Sequence, residues 1–584
     1  MTPEDSSAEE VRASAAELSP EIVQPVVEPR PLPPPLAEQL RICTHNPLYV
    51  VSAALVVYGL LASFPVGSGS PTLPLLAICL AAYVVLLAGT AWFLRRLGVL
   101  WEDLRMLGLL AVLLLPMVGV ALDHSLQASP NVGRAWFGCA ALFAALIGEA
   151  LVVGLRMRLP WGYRAPYHLL MTLFFAWPVL VQPLAVDPYD ATLQWLLFGF
   201  AAAAGAILLM LLPAIWLGPA YVRRNGTPWR WPWYPLTIFV PLVICAVGRA
   251  YYLCETFHSA AAGQTIFAPY FLAPLVWAIA ILFLVGGMRH RRPLAIGLGL
   301  VLPAAAILLS PWDLGETSVA REFLDKFQAA LGAMPPRVVT IGSAFLYAVA
   351  LAARTPGAFA CLVSALLALA TVDAGALKFL AWKTSPDGLP ALIAAALLTT
   401  RGALRRQAWF AALGAAVFWL AVHLFGYQAR ELPVNFTAYY SALAICVAQA
   451  WWISGERALP LRLLTALMLL WTIVDQNHAH GRGLLQAVPA WLFDWYAELL
   501  VLLSVGIAAL LRDRIVTMAA GFVAANYFVR FGGPMYRRWK LHVAGLDAIV
   551  AGIVTFIAAV GLSLYRRRRD AVAPSQGTPP PISP

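Results

Sequence analysis

Asp373 and Lys378 lie in Thr371 to Lys383 (TVDAGALKFLAWK), inside a run that otherwise reads as a membrane-spanning helix. An ionisable side chain at membrane depth costs at least a few kcal/mol, so it normally faces protein or a watered cavity and marks a site. Arg249, in Ala246-Val247-Gly248-Arg249-Ala250-Tyr251-Tyr252, has the same character, and Glu255 and His258 follow at the outer end of its span. Asp373 and Lys378 are five residues apart and project about 140° apart on one helix. They are therefore not expected to pair only with each other, and Asp373 with Arg249 is the inter-helix pair the sequence suggests. Two readings follow. The two cations and one carboxylate neutralise one another inside a bundle, as buried charges usually do; or Arg249, Asp373 and Lys378 line a substrate pocket for an anionic headgroup or carboxylate.

Other titratable groups gather at the outer face. His124, His258, His423, His478, His480 and His542 fall there, against His45, His168 and His290 inside. The densest group is Asp475-Gln476-Asn477-His478-Ala479-His480-Gly481-Arg482. His478 and His480 have the chemistry to ligate a metal or exchange protons near neutral pH, but no third ligand stands in register, so a solvated polar loop is the plainer reading. Asp123-His124, in the second outer loop, is ambiguous in the same way. The acid or base candidates at this face are thus Asp123, His124, Glu255, His258, Asp475 and His478. On the other side, Glu149 in Leu146-Ile147-Gly148-Glu149-Ala150 is expected to pair with Arg156, two turns on along roughly the same face. The chain has no Walker A loop, GxSxG elbow, HExxH or dinucleotide fingerprint, which disfavours ATP-driven and zinc-protease chemistry and leaves the cofactor unknown.

The elements that position these residues follow from composition. With 61% hydrophobic and 12% charged residues and a mean hydropathy of +0.76, the 584-residue chain lies far outside the soluble range. Its net charge of +11 comes from arginines in short groups between apolar runs, the distribution of topology signals and not of a nucleic-acid surface. The seven cysteines lie in or beside apolar runs with no CxxC spacing and read as small packing residues. Apolar stretches long enough to cross about 30 Å of hydrocarbon number about eighteen. Nine lie between 48 and 310 and nine between 337 and 565, the weakest being 388 to 400; the count falls to about sixteen if 358 to 382 and 388 to 400 form a re-entrant pair. The reading is an all-α polytopic integral membrane protein with both termini cytoplasmic. Even-numbered loops hold twenty arginines, from Arg95 to Arg514, whereas odd-numbered loops hold eleven basic residues, four of them in Arg530 to Lys540.

The expected organisation is a disordered tail over 1–46, a first membrane half over 47–312, an outer amphipathic helix within 313–336, a second half over 337–566 and a disordered tail over 567–584. Met1 to Glu10 is acidic, so no cleavable signal is expected and the first span acts as the insertion signal. Between the halves, Val319, Phe323, Phe327 and Leu331 recur every four residues opposite Arg321, Glu322, Asp325 and Lys326. That pattern predicts a helix at the outer interface, or a lid over a cavity. Nine spans per half would give any repeat inverted topology, but the halves show no sequence match.

Arg41 to Tyr49 (RICTHNPLY) resembles the start of the first span in uncharacterised multi-pass membrane proteins of planctomycete-type bacteria. The resemblance implies a bacterial cytoplasmic (inner) membrane protein and carries no catalytic residue. Three functions are open: a transporter or flippase-like protein for an amphipathic or anionic solute; a membrane-embedded transferase acting on a lipid-linked substrate at the outer face; and a structural subunit of a membrane complex. Polytopic glycosyltransferases that use lipid-linked sugars typically carry an acidic motif in the first outer loop. Pro65 to Pro71 has no carboxylate, so that family fits only if Asp123 has taken over the role. The partners implied are membrane lipid and a small-molecule or lipid-linked substrate, with no nucleic acid.

Overall fold

A computed structural model describes residues 48–63, 73–96, 101–222, 231–259, 265–312, 318–371, 388–428, 434–478 and 490–540. Among these residues the chain is helical and contains no strand. In chain order the principal helices are α1 (Leu48–Ser63), α2 (Leu73–Arg96), α3 (Trp101–Ala128), α4 (Pro130–Gly154), α5 (Trp161–Val181), α6 (Ala191–Leu209), α7 (Phe239–Cys254), α8 (Ala273–Arg289) and α9 (Pro293–Leu309). They continue as α10 (Ser318–Leu331), α11 (Pro335–Ala352), α12 (Ala358–Thr371), α13 (Gly388–Arg405), α14 (Ala408–Gln428), α15 (Val434–Ile453), α16 (Leu459–His478), α17 (Ala490–Leu511) and α18 (Arg514–Tyr527). Among the described residues eight helical segments are long and apolar enough to cross a membrane, and several shorter apolar helices accompany them. Each expected span up to residue 529 coincides with helix over most of its described length; 64–65, 372–382 and 543–565 lie outside the described residues.

Polar contacts between helices join ends that the arginine distribution places on the same side. At the inner side, Arg95 donates to the Gly154 carbonyl (3.0 Å), the Tyr234 hydroxyl to the Arg158 carbonyl (3.1 Å), and Arg462 to Asp513 (2.8 Å). At the outer side, Arg134 meets Gln182 (3.2 Å), the hydroxyls of Tyr440 and Tyr496 meet (2.6 Å), and Tyr527 donates to Glu498 (2.8 Å). Successive helices therefore alternate in direction, as the spacing of the basic loops predicts.

The inner turns share one device. Arg156, Arg291, Arg354, Arg406 and Arg512 all have φ between 50° and 59°, the left-handed region that favours glycine. In four of these turns the hydrogen bonds form a Schellman motif, with arginine where glycine usually sits. Arg354 N donates to the Leu351 carbonyl (2.8 Å) and Thr355 N to the Ala350 carbonyl (2.9 Å); the same pairings recur around Arg156, Arg291 and Arg406. The conformation costs a non-glycine residue roughly 1 to 2 kcal/mol, while a cation at a helix C-terminus returns about 0.3 to 1 kcal/mol. The placement is thus explained by where the charge must lie, and not by local stability.

The buried core is continuous from Ala53 on α1 to Ala365 on α12. A second core runs from Ala408 to Val523, and a smaller cluster on α12, α13 and α14 joins the two. The division between the two cores therefore falls near α13. Helix α13, read as the weakest span, packs closely on α14: a Cβ on Gly402 would stand 2.6 Å from the Ala411 backbone nitrogen, and one on Gly414 2.6 Å from Thr399. Small residues permit such approach where no hydrophobic effect operates between lipid-facing helices.

Helix α10 is docked on protein. Val319, Phe323, Leu324 and Phe327 are buried, with Phe327 stacked on Trp195 of α6 (centroids 5.7 Å apart, planes at 15°) and Phe323 beside Phe271. Lys326 Nζ pairs with Glu322 (2.6 Å) and donates to the Tyr189 carbonyl (2.7 Å) at the start of α6. The apolar face expected of this helix is therefore packed on protein.

Two outcomes test these features. Arg354→Gly should raise the unfolding midpoint of the detergent-solubilised protein, by up to about 1 kcal/mol, and Arg354→Val should lower it, because valine keeps the backbone cost and loses the charge. Phe327→Ala should weaken docking of α10 by about 3 to 5 kcal/mol, so that a cysteine at position 319 in a cysteine-free background becomes reactive to maleimide.

Candidate functional site

The outer site is built by α3 and α7. Asp123 does not lie in a loop: Leu122 and Leu126 are buried on one face, which carries α3 on to Ala128 and places Asp123 within its last two turns. Arg249 meets it there. Arg249 Nη2 donates to Asp123 Oδ1 at 2.8 Å and Nη1 to Oδ2, a bidentate pair with side chains 2% and 0% exposed. Among the described residues the partner of Arg249 is therefore Asp123. The physical reason is depth: both residues sit near the outer ends of helices running the same way. Asp373 and Lys378 fall within 372–387, outside the described residues.

Beyond the pair, α7 continues as a π-helical turn over Glu255–Ser259, an irregularity frequent at functional sites. Gln127 of α3 donates to the Thr256 carbonyl there. His258 and Thr256 are buried, His124 is half-buried and Glu255 is exposed. Asp123 and Arg249 thus form a buried pair, and Thr256 and His258 are buried two or more turns further along the same segment, whereas Glu255 is exposed. Asp475 and His478 belong to the last turn of α16 and not to a loop, and His480 lies outside the described residues. Among the described residues no group of three or more histidines, cysteines and carboxylates is placed to hold a metal ion.

A second site, at the inner end, escaped the sequence reading. A slot is lined by Leu104, Arg105, Gly108, Leu109 and Val112 of α3, by Gly148, Leu151, Val152 and Leu155 at the end of α4, by Met157 and Leu159, by Tyr167 of α5, and by Tyr234, Thr237 and Ile238 just before α7. Arg105, 7% exposed, is the one charged residue in that lining. It had counted only as a topology charge; its position one turn inside an apolar span was the available signal. Beside the slot, Glu149 accepts from Arg164 (Nε to Oε1, 2.9 Å) and meets His168 Nε2 at 2.6 Å. The expected Glu149–Arg156 pair does not form, because α4 ends at Gly154 and the left-handed turn at Arg156 carries that side chain out to solvent.

What the two sites do chemically differs. A carboxylate held bidentately by a buried guanidinium is neutralised and withdrawn from acid or base work. The inner slot offers apolar walls with one cation, which suits an amphipathic ligand. Asp123→Asn should destabilise the protein by about 3 to 5 kcal/mol, since it strands a buried cation. Asp123→Leu combined with Arg249→Met should recover most of that loss, read as the thermal midpoint in detergent.

No protein-family model matches the chain, and neither a curated protein nor a solved structure is similar to it.

Proposed function

We propose that this multi-pass membrane protein is a transporter or flippase-like protein for an amphipathic or anionic solute, in a bacterial inner membrane. One observation supports the reading. The same two elements, α3 and the segment leading through α7, build the slot at their inner ends and the buried ion pair at their outer ends. Val112 precedes Asp123 by eleven residues and Ile238 precedes Arg249 by eleven, which at the helical rise is about 16 Å in each. A slot at one end and a sealed charge pair at the other is how one state of an alternating-access device is built: separating α3 from α7 would open the outer end and close the inner one. The outer-face transferase reading loses Asp123, which Arg249 occupies. A purely structural role accounts for the pair but not for the slot.

The test uses a cysteine-free background carrying Leu109→Cys, labelled with a membrane-impermeant maleimide in sealed vesicles of each orientation. Labelling is expected from the inner side alone. Adding Asp123→Leu with Arg249→Met should bring labelling from the outer side as well. Labelling from the inner side alone in both proteins overturns the reading.

A further inference from the structure

The walls of the inner slot specify its occupant more closely. From Leu104 to Val112 the lining follows α3 for about 12 Å, the course a linear hydrocarbon laid along the helix would take. Half-buried Leu109, Val152, Met157 and Ile238 stand at its margins, so the approaches are apolar, as for a ligand arriving from a leaflet. Four polar side chains interrupt the apolar wall; the hydroxyls of Tyr234 and Thr237 donate to backbone carbonyls, and the other two, Arg105 and Tyr167, lie about one to two turns from the inner ends of α3 and α5. The Tyr167 hydroxyl is buried, the residue being 3% exposed, and has no hydrogen-bond partner among the described residues. A buried hydroxyl left so is destabilising by about 1 to 3 kcal/mol and calls for an absent partner. Gly148 leaves it space: a Cβ there would stand 2.5 Å from the Tyr167 hydroxyl oxygen.

We propose that the slot holds one acyl chain of an anionic glycerophospholipid, its phosphate at Arg105, its ester carbonyl accepting from the Tyr167 hydroxyl, and the chain running along Gly108, Leu109 and Val112. Each part of this ligand answers one feature of the wall. Phosphate is the anion a guanidinium engages best. The ester carbonyl lies a few bonds below the phosphate, as Tyr167 lies slightly deeper than Arg105, and it is an acceptor for the orphaned donor. Gly108 leaves the chain its room, since a Cβ there would meet only Leu155 Cδ1, at 3.9 Å. The proposal rests on the transporter reading only for what the bound lipid is for.

The experiment measures binding to the purified full-length protein in neutral detergent, by native mass spectrometry and tryptophan fluorescence, with phosphatidylglycerol, diacylglycerol and oleate as probes. Arg105→Gln should weaken phosphatidylglycerol by roughly tenfold or more, the loss of one charge-assisted contact, and leave diacylglycerol unchanged. Tyr167→Phe should weaken both ester lipids and leave oleate unchanged. Gly108→Leu should abolish binding of all three while the thermal midpoint is retained; if that variant does not fold, Gly108→Ala, whose methyl fits, should weaken all three in proportion. Equal phosphatidylglycerol binding by the parent and the folded Gly108 variant overturns the site. Loss of phosphatidylglycerol and diacylglycerol to the same extent in Arg105→Gln overturns the role of the phosphate. Slot binding that behaves as stated in a protein whose position 109 never becomes accessible from the outer side leaves the lipid site standing and removes transport.

Discussion

A charge inside a membrane protein must be answered by another charge, and Asp123 with Arg249 is where this chain meets that demand most completely. Such a pair adds little net stability over an apolar replacement, because the cost of desolvating both ions offsets most of their attraction. Its effect lies in selectivity. A slip of one residue between α3 and α7 would rotate each side chain by about 100° and leave two bare ions in low dielectric. Only one register of these helices is therefore tolerated, and the Gln127 contact to the Thr256 carbonyl repeats the constraint one turn further out. Everything built by the inner ends of the same two elements inherits that register.

The inner slot depends on it. Leu104 to Val112 of α3 face Tyr234 to Ile238 across a gap that α4 and α5 complete. Its width is kept by residues that do little: Gly108 and Gly148 leave out side chains where others would fill the space. The neighbouring Glu149–Arg164–His168 contact ties α4 to α5 and so holds Tyr167 in the slot wall. At the opposite face α10 uses a different force. It lies where water is available, so burying Phe323 and Phe327 against Trp195, Phe198 and Phe271 draws on the hydrophobic effect, which does not act between helices surrounded by lipid.

The arginines of the inner turns show two physical demands in conflict at single positions. A helix that ends in a left-handed residue is best served by glycine, while a loop that must stay on the cytoplasmic side is best served by a cation. At Arg156, Arg291, Arg354, Arg406 and Arg512 the second demand prevails. The backbone term is about 1 to 2 kcal/mol, and drawing a cation to the wrong face of a membrane is opposed over the whole span. The same residues neutralise the carbonyl ends of their helices, which recovers part of the cost.

The amino-acid sequence by itself determined the helical class, the positions of the spans, their alternating direction and the buried face of α10. Each of these depends on local hydropathy, on periodicity or on the distribution of arginines, and such properties are written along the chain. It also identified Arg249 as a buried cation in need of a carboxylate. Which carboxylate was decided only by tertiary structure, because α4, α5 and α6 intervene between Asp123 and Arg249 and nothing in their local sequence records that α3 and α7 are neighbours. The Glu149 partner was misread for a related reason: the pairing with Arg156 assumes a helix that continues, and the turn at Arg156 ends it. The slot lay furthest from view. Arg105, Gly108, Gly148 and Tyr167 are unremarked in sequence, and an empty space is a property of how helices meet, so it exists only once four of them have been placed side by side.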